Sequence, residues 1–497
     1  MQPSIFNVRV PLPDQANVFL MNTLTDAQII VPPEVVSLLD SVEGRTQPGH
    51  AVARPFDDEE REALATLTEL GFVVESRDAD RHALDAYFDT IRHDTSQLRL
   101  TVLTTLQCNF ACGYCFQGDH GDHNRHAHKM SLETAAEVVA HAGRQLDTVR
   151  PERLSLMFFG GEPLLNLPVV YYLAEHVHAA AAARGVPLTI SMVTNGLLLT
   201  PEVVDRLLPY GFTGAKITLD GDKAAHDRKR PLRGGQGTFD RIIANVRAVA
   251  GKCTISIGGN FDADNADSYP ALLDFLAAQE FAPRLAKVNF KPVVGGAVPN
   301  PSGAAPAAAV APPPTPAARP SRINGIIPLT AVAADGAPLG GTCMTVAGAG
   351  GMKAASPCDS CHFVDETMGF LREETKKRGF PTMDGVHMGP CEIHRQHAHT
   401  IGPDGALYAC PGFTGEPTFA TGHITAPRTP VQAKAAATFD RIGAWRQCGD
   451  CSFIPVCAGG CSVASHTELG DLDTPACHRH SLESALVSYA AEAAAAS

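Results

Sequence analysis

Residues 98–115 read LRLTVLTTLQCNFACGYC. Leu98–Leu106 is a short apolar run of strand length, and it empties directly into three thiols, Cys108, Cys112 and Cys115. Outward from it the same unit recurs. Apolar runs stand at Leu154–Phe159, Leu188–Val193, Ala215–Leu219, Cys253–Ile257 and Ala286–Val294, with amphipathic stretches such as Leu132–Leu146 and Thr238–Ala250 between them. Strand alternating with helix predicts parallel strands joined by helical crossovers, an α/β class, and right-handed crossovers curl such a sheet into a barrel or part of one. In that architecture chemistry sits at the carboxyl ends of the strands, which is where the three thiols fall.

The chain has 497 residues, 44% hydrophobic and 19% charged, a length for about three domains. Its 44 Gly and 37 Pro imply much irregular chain between them. A formal charge of -13 disfavours nucleic acid and anionic lipid, because both are held by cations that neutralise phosphate. The start reads without a basic-apolar leader, and no apolar run reaches the length of a membrane span. A cytoplasmic location is therefore expected. The 14 cysteines would be kept reduced there, so grouped thiols point to metal rather than disulfides.

Boundaries follow from composition. Residues 1–95 are acidic and free of cysteine, and residues 96–294 carry the strand–helix repeat. Residues 295–340 open with GGAVPNPSGAAPAAAVAPPPTPAARP, too poor in periodicity for a core, and are expected to be a linker or insertion. Residues 341–482 form a cysteine-rich, metal-stapled domain, ten of the 14 cysteines lying between 340 and 480, and residues 483–497 a C-terminal helix or tail.

Three thiols in one loop is an informative number. A closed structural iron–sulfur cluster takes four, so three leave one iron open to a further ligand. A zinc knuckle completed by a distant residue is the plainer alternative. The C-x3-C-x2-C spacing, with Tyr114 before the last cysteine, resembles the radical S-adenosylmethionine superfamily. Supporting stretches are similar to that family's: Gly160-Gly161-Glu162-Pro163 after the second run, Thr194-Asn195-Gly196 after the third, Leu219-Asp220-Gly221 with His226-Asp227-Arg228-Lys229-Arg230 after the fourth, and Asn260 at the end of the fifth. Each alone could be a turn or a cap.

The resemblance implies a partial (β/α)6 barrel with a 4Fe-4S cluster on Cys108, Cys112 and Cys115. It implies S-adenosylmethionine contacts at Tyr114, Gly160, Gly161, Glu162, Pro163, Thr194, Asn195, Arg230 and Asn260, the Glu162 carboxylate and nearby backbone holding the methionine ammonium. The reaction implied is reductive cleavage of S-adenosylmethionine to a 5'-deoxyadenosyl radical that abstracts hydrogen from substrate. A low-potential donor such as flavodoxin or ferredoxin would feed the electron.

Downstream stand Cys391-x13-Gly405-x4-Cys410, then Cys448-x2-Cys451-x5-Cys457-x3-Cys461, then Cys477. The pattern is similar to SPASM domains, the auxiliary-cluster extension of peptide-modifying and sulfatase-maturing members; a zinc ribbon is the alternative. By that resemblance one auxiliary cluster takes Cys448, Cys451, Cys457 and Cys477, and the other Cys391, Cys410 and Cys461. The latter either keeps an open iron or draws a fourth ligand from elsewhere, Cys358-x2-Cys361 being nearest. His120, His123, His126 and His128 read as a solvated loop and Cys253 as a small core residue; Cys343 has no assignment.

Residues 1–95 suggest strands at Phe6–Leu12 and Val18–Met21, a short helix near Pro33–Val42, a helix beginning at Asp57-Asp58-Glu59-Glu60 and closed by Gly71, a returning strand Phe72–Val74, and a helix over Asp80–Ile91. The order resembles a winged-helix peptide-recognition domain. With 7 Lys and Arg against 17 Asp and Glu, a net of -10, the segment has the wrong sign for DNA. It suits a basic leader peptide added to a strand edge. The expected function is that of a peptide maturase that modifies or crosslinks a ribosomally made precursor peptide. A sulfatase maturase, forming formylglycine from Cys or Ser, is the alternative, and a non-catalytic metal scaffold the third.

Overall fold

The computed structural model describes residues 1–13, 16–46, 55–115, 128–294, 359–387 and 389–496. The expected linker 295–340, Cys343, Cys358, His120, His123, His126 and the side chain of Cys361 lie outside the described residues.

The chain opens with β1 (Gln2–Pro3), β2 (Asn7–Pro11), β3 (Val18–Asn22) and β4 (Gln28–Val31), followed by α1 (Pro33–Thr46), α2 (Asp58–Glu69), β5 (Val73–Val74) and α3 (Arg77–Arg92). Strands β2, β3 and β4 form an antiparallel sheet, and β5 returns to pair with β1. Asp57 caps α2 in a reciprocal box: its carboxylate accepts from the Glu60 amide and the Glu60 carboxylate from the Asp57 amide, both at 2.9 Å. Gly71, at φ +86°, turns the chain out of the helix. Phe19, Leu20 and Met21 are buried in succession because this sheet is covered on both faces. Leu20 packs with Leu39, Leu64 and Leu67, whereas Phe19 and Met21 pack with Val8 and Val10 of β2 and with Phe453, Val456 and Leu486 from the far end of the chain.

The central sheet has nine strands. Its core is six parallel strands, β6 (Gln97–Leu103), β7 (Arg153–Phe159), β8 (Leu188–Thr194), β9 (Phe212–Thr218), β10 (Thr254–Phe261) and β11 (Leu285–Pro292), in simple sequential order. Between them run α4 (Leu132–Val149), α5 (Leu167–Ala182), α6 (Pro201–Leu207), α7 (Lys223–Lys229), α8 (Phe239–Val249) and α9 (Tyr269–Ala277). Helix α8 buries Phe239, Ile242, Ile243, Val246 and Val249, a single stripe at helical spacing. It lies against the strand face carrying Ala215, Ile217, Ile255 and Ile257. The opposite strand face carries Lys216, Ser256 and Asn260, which are only half-buried.

The cysteine-rich segment is less separate than its composition implies. After α10 (Asp359–Lys377), β12 (Ala398–Ile401) adds to β6 in parallel, and β13 (Ala406–Tyr408) and β14 (Gly422–His423) continue the same sheet. Helix α11 (Pro430–Asp440) follows, and α12 (Arg479–Ala496) begins before the expected tail and covers the amino-terminal sheet with Leu482, Ala485, Leu486 and Ala490. Among the described residues no helix is long and apolar enough to cross a membrane.

Candidate functional site

The turn after β6 is fixed by local hydrogen bonds. The Asn166 side chain donates to the carbonyls of Thr104 (2.8 Å) and Met130 (3.0 Å), and fully buried Phe110 anchors the loop between Cys108 and Cys112. The turn after β7 lies directly on it. The amides of Gly161 and Glu162 donate to the carbonyls of Thr105 and Gln107 at 3.0 and 2.8 Å. Gly160 has φ +136°, and a Cβ there would stand 2.3 Å from the Thr105 oxygen; at Gly161 it would stand 2.2 Å from that of Gln107. Two glycines are therefore a contact requirement of the thiol loop. Buried Pro163 opens the short turn that leads into α5.

Glu162 is fully buried. Its carboxylate accepts from the Leu164 amide (3.1 Å), the Thr194 hydroxyl (2.8 and 3.0 Å) and the Asn195 amide (2.8 Å). Burial raises its pKa, and those donors with the Arg230 charge pull it back. Thr194 and Asn195 are thereby locked to the Gly160–Pro163 turn. The Asn195 side chain reaches on to Asn109 (2.7 Å), beside Cys108.

A second group joins three strand ends, those of β6, β9 and β10. Tyr114 donates to Asp220, Arg230 donates to the Tyr114 oxygen at 2.5 Å, and the Asn260 amide donates to Asp220 at 2.7 Å. Asp220 is fully buried and Arg230 nearly so. Burial opposes the Arg230 charge, but Tyr114, Cys112 and Asp220 more than offset it. Among the described residues the buried Arg230 Nε has no hydrogen-bond partner, a donor suited to an incoming anion. His226, also fully buried, accepts from the Asp220 amide (3.2 Å) and meets the Thr238 hydroxyl (3.0 Å). Burial holds it neutral, with a pKa of about 3. Its task is to hold the loop, as Asp227 does by accepting from the amides of Thr238 and Phe239 at 2.7 and 2.8 Å.

Burial raises the Cys108 thiol to about 12 and raises Cys112 as well, whereas Cys115 is partly exposed. Such thiols ionise against a nearby cation, which is what a metal centre supplies. The donor set fits an iron–sulfur cluster at a strand carboxyl end. Asp220 and Asn109 were not in the expected set; Asp220 was visible as the polar residue just past the fourth run, while Asn109 offers no signal beyond its place between two cysteines.

Two further groups of thiols form in the carboxy-terminal part. Cys391, Cys410 and Cys461 lie within electrostatic reach of one another, as do Cys448, Cys451, Cys457 and Cys477. Burial raises Cys410 and Cys448 to about 12 and Cys457 to about 11. Cys391 and Cys477 are exposed as whole residues, yet their sulfurs sit deep enough for burial to raise them too. Among the described residues no three His, Cys, Asp or Glu converge as the tight shell of a single ion requires. Cys253 packs at the edge of the main core with its thiol raised to about 11 by burial.

Residues 102–264 match the model of the Radical SAM superfamily. The chain carries a radical SAM domain. That domain belongs to iron–sulfur-dependent enzymes, and here it is an α/β core with added amino- and carboxy-terminal elements. Over 156 residues the chain is 32% identical to GTP 3',8-cyclase of Xanthomonas campestris pv. campestris, covering 30% of this chain and 41% of the cyclase. Over 142 residues it is 26% identical to the serine-type anaerobic sulfatase-maturating enzyme of Klebsiella aerogenes, covering 28% of this chain and 33% of that enzyme. The chain thus spans well under half of the curated relatives it matches. The solved structure of native anSMEcpe with bound AdoMet aligns with a TM-score of 0.54 at 15% identity, over 80% of this chain and 99% of that one. The structure of the same protein with AdoMet and Kp18Cys peptide gives 0.53 at 15%, over 81% and 100%. At that identity the likeness is one of fold.

Proposed function

We propose that the protein is a radical SAM oxidoreductase that oxidises a side chain of a peptide or protein. One observation carries this reading: Cys108, Cys112 and Cys115 share the carboxyl end of the parallel sheet with the interlocked groups Gly160–Gly161–Glu162–Thr194–Asn195 and Tyr114–Asp220–Arg230–Asn260. Cys108, Cys112 and Cys115 would hold a 4Fe-4S cluster. S-adenosylmethionine would lie across the Gly160–Pro163 turn, Thr194, Asn195, Arg230 and Asn260. Bound there, the two supply one-electron cleavage of a carbon–sulfur bond and a carbon radical that abstracts hydrogen. The chain's own part is to orient and to exclude water. Glu162 fixes Thr194 and Asn195, and its carboxylate, which accepts from three donors, keeps acceptor capacity for the methionine ammonium beside the turn's backbone carbonyls. The unpartnered Arg230 Nε suits the methionine carboxylate.

The two carboxy-terminal thiol groups match the division expected of SPASM auxiliary clusters, and the order of strands and helices in residues 1–95 suits a winged-helix-like recognition unit. A low-potential flavodoxin or ferredoxin in the cytoplasm would be the electron donor. Between the two reactions, the comparisons favour formylglycine formation over crosslinking of a precursor peptide: the fold likeness runs the length of anSMEcpe, and a sulfatase-maturating enzyme is among the sequence relatives. Reconstituted anaerobically and given dithionite, the protein will convert S-adenosylmethionine to 5'-deoxyadenosine. Cys112→Ala will not, and equal activity of that variant overturns the assignment. Hydrazide capture of treated Cys- and Ser-containing peptides separates the two reactions, because formylglycine is an aldehyde and a crosslink is not.

A further inference from the structure

Lysines interrupt the sheet face that looks away from the helices. Lys216 on β9 stands directly beside Ser256 on β10, and Ser256 beside Lys287 on β11, one row across three parallel strands. Their sequence neighbours Ala215, Ile217, Ile255, Ile257 and Val288 are buried in the helix-side core, so by the strand alternation all three row members face the concave side. Four residues on, in the same register, Lys291 stands beside Asn260. The Lys216 stem crosses Gly258: a Cβ on that glycine would lie 2.6 Å from Lys216 Cε and 3.5 Å from Nζ. The ammonium is therefore carried along the strand toward Asn260 and Lys291, that is, toward the radical SAM site.

Three ammoniums gather here, Lys216 and Lys287 half-buried and Lys291 exposed at the mouth. Among the described residues none of them has a carboxylate within ion-pair distance, although the chain holds 53 Asp and Glu against 40 Lys and Arg. Neighbours on the same strands and face, Val193, Ser256 and Asn289, are neutral, and a titratable group of opposite sign, the Cys410 thiol, lies within electrostatic reach of Lys291, its pKa raised by burial. Burial, then the charges of Lys291 and Lys287, lowers the pKa of Lys216. Like charges crowded without a counter-ion are costly. A carboxylate placed among them removes that cost and gains charge-assisted hydrogen bonds.

We propose that Lys216, Lys287 and Lys291 form a carboxylate-binding site for the substrate, setting a preference for an acidic side chain or chain terminus close to the oxidised residue. This rests on the peptide or protein reading above and narrows its substrate class. The methionine carboxylate of S-adenosylmethionine is the other source of the same chemistry; Arg230, with its buried unpartnered Nε, is placed to take it, leaving the lysines to the substrate.

The test compares wild-type holoenzyme with Lys216→Gln/Lys287→Gln, each saturated with S-adenosylmethionine, by calorimetric titration of three peptides. The first, N-acetyl-Asp-Glu-Asp-amide, carries side-chain carboxylates only. The second, N-acetyl-Ala-Ala-Ala, carries only its terminal one, and the third, N-acetyl-Asn-Gln-Asn-amide, carries none. A charge-assisted hydrogen bond contributes enough to favour at least one acidic peptide about tenfold over the neutral one in wild type. In the double variant that preference disappears, while S-adenosylmethionine affinity and substrate-free 5'-deoxyadenosine formation stay within about twofold. Whichever acidic peptide is preferred names the carboxylate. Equal binding of all three peptides to wild type overturns the proposal, as does a variant that keeps the preference or that loses S-adenosylmethionine affinity instead. Lys216→Arg, which keeps charge, restores the preference if charge is its origin. Failure of wild type to make 5'-deoxyadenosine sinks the enzymatic reading separately, because peptide binding is measured without turnover.

Discussion

At Gly161 an added Cβ would meet the carbonyl oxygen of Gln107 at 2.2 Å, and the obstacle is backbone that cannot rotate away. Gln107 precedes Cys108, so relief of the clash must push the first thiol out of place. Gly161→Ala is expected to lose about four iron per chain after reconstitution, the content of one cubane cluster, together with 5'-deoxyadenosine formation. Iron analysis beside the wild type checks it; full iron with full activity would show that the turn can give way. The glycine pair was legible in the sequence, as were the thiols and Arg230. What the sequence did not reveal is that the Glu162 carboxylate also ties its own turn to the next strand end, because Leu164, Thr194 and Asn195 meet it only in three dimensions.

Elements were legible wherever they were long and periodic. Each expected parallel strand is present within a few residues, and α4 and α8 lie where the apolar stripe placed them. Strands β1, β4 and β12 to β14 went unseen, since two to four residues carry too little alternation to stand out from loop. What β4 adjoins matters for pH. The turn before it bears Asp26, whose carboxylate lies 2.9 Å from His387 Nε2, and Asp384 lies 3.0 Å from Nδ1 of the same ring. Burial disfavours the charged imidazole, but the two carboxylates outweigh it and the pKa is raised. A histidine raised in the folded state adds stability that is complete below its ordinary pKa of about 6.5 and disappears as pH rises through the folded value. Because the ring is partly exposed, solvent screening keeps the effect to a fraction of a kcal/mol. Thermal midpoints of wild type and His387→Gln should differ at pH 5.5 and converge by pH 8.5; a gap that is constant or widens with pH refutes the clamp.

At the scale of the molecule, composition suggested a separate acidic domain on residues 1–95, a barrel and a metal-stapled domain, yet burial ties the two ends of the chain together. Phe6, Leu84 and Phe88 pack with Trp445, Ile454 and Ala458, the Phe88 and Trp445 rings stacked with centroids 4.3 Å apart. Val8, Val10, Phe19 and Met21 pack with Phe453, Val456, Leu482 and Leu486, and Cys448, Cys451 and Cys457 border these two clusters. Composition could not reveal this, because a sheet covered on both faces shows only that its residues are apolar and not which distant segment covers them. The consequence concerns removal of residues 1–95. Each large apolar side chain laid open to water costs about 1.5 to 3 kcal/mol. Trp445, Phe453, Ile454, Val456 and Leu486 together reach about 10 kcal/mol, comparable with the whole stability of a typical domain. Truncated protein is therefore expected to lose not only peptide binding but also iron, falling from about twelve atoms per chain, if three cubane clusters assemble, to about eight as the Cys448–Cys477 group loosens. The radical SAM site, built from β6 to β10, should keep its cluster and its substrate-free cleavage of S-adenosylmethionine. Iron analysis with electron paramagnetic resonance of the reduced truncated protein decides it. Retention of all twelve iron with an unchanged thermal midpoint would mean that the amino-terminal unit is the separate domain its composition suggests.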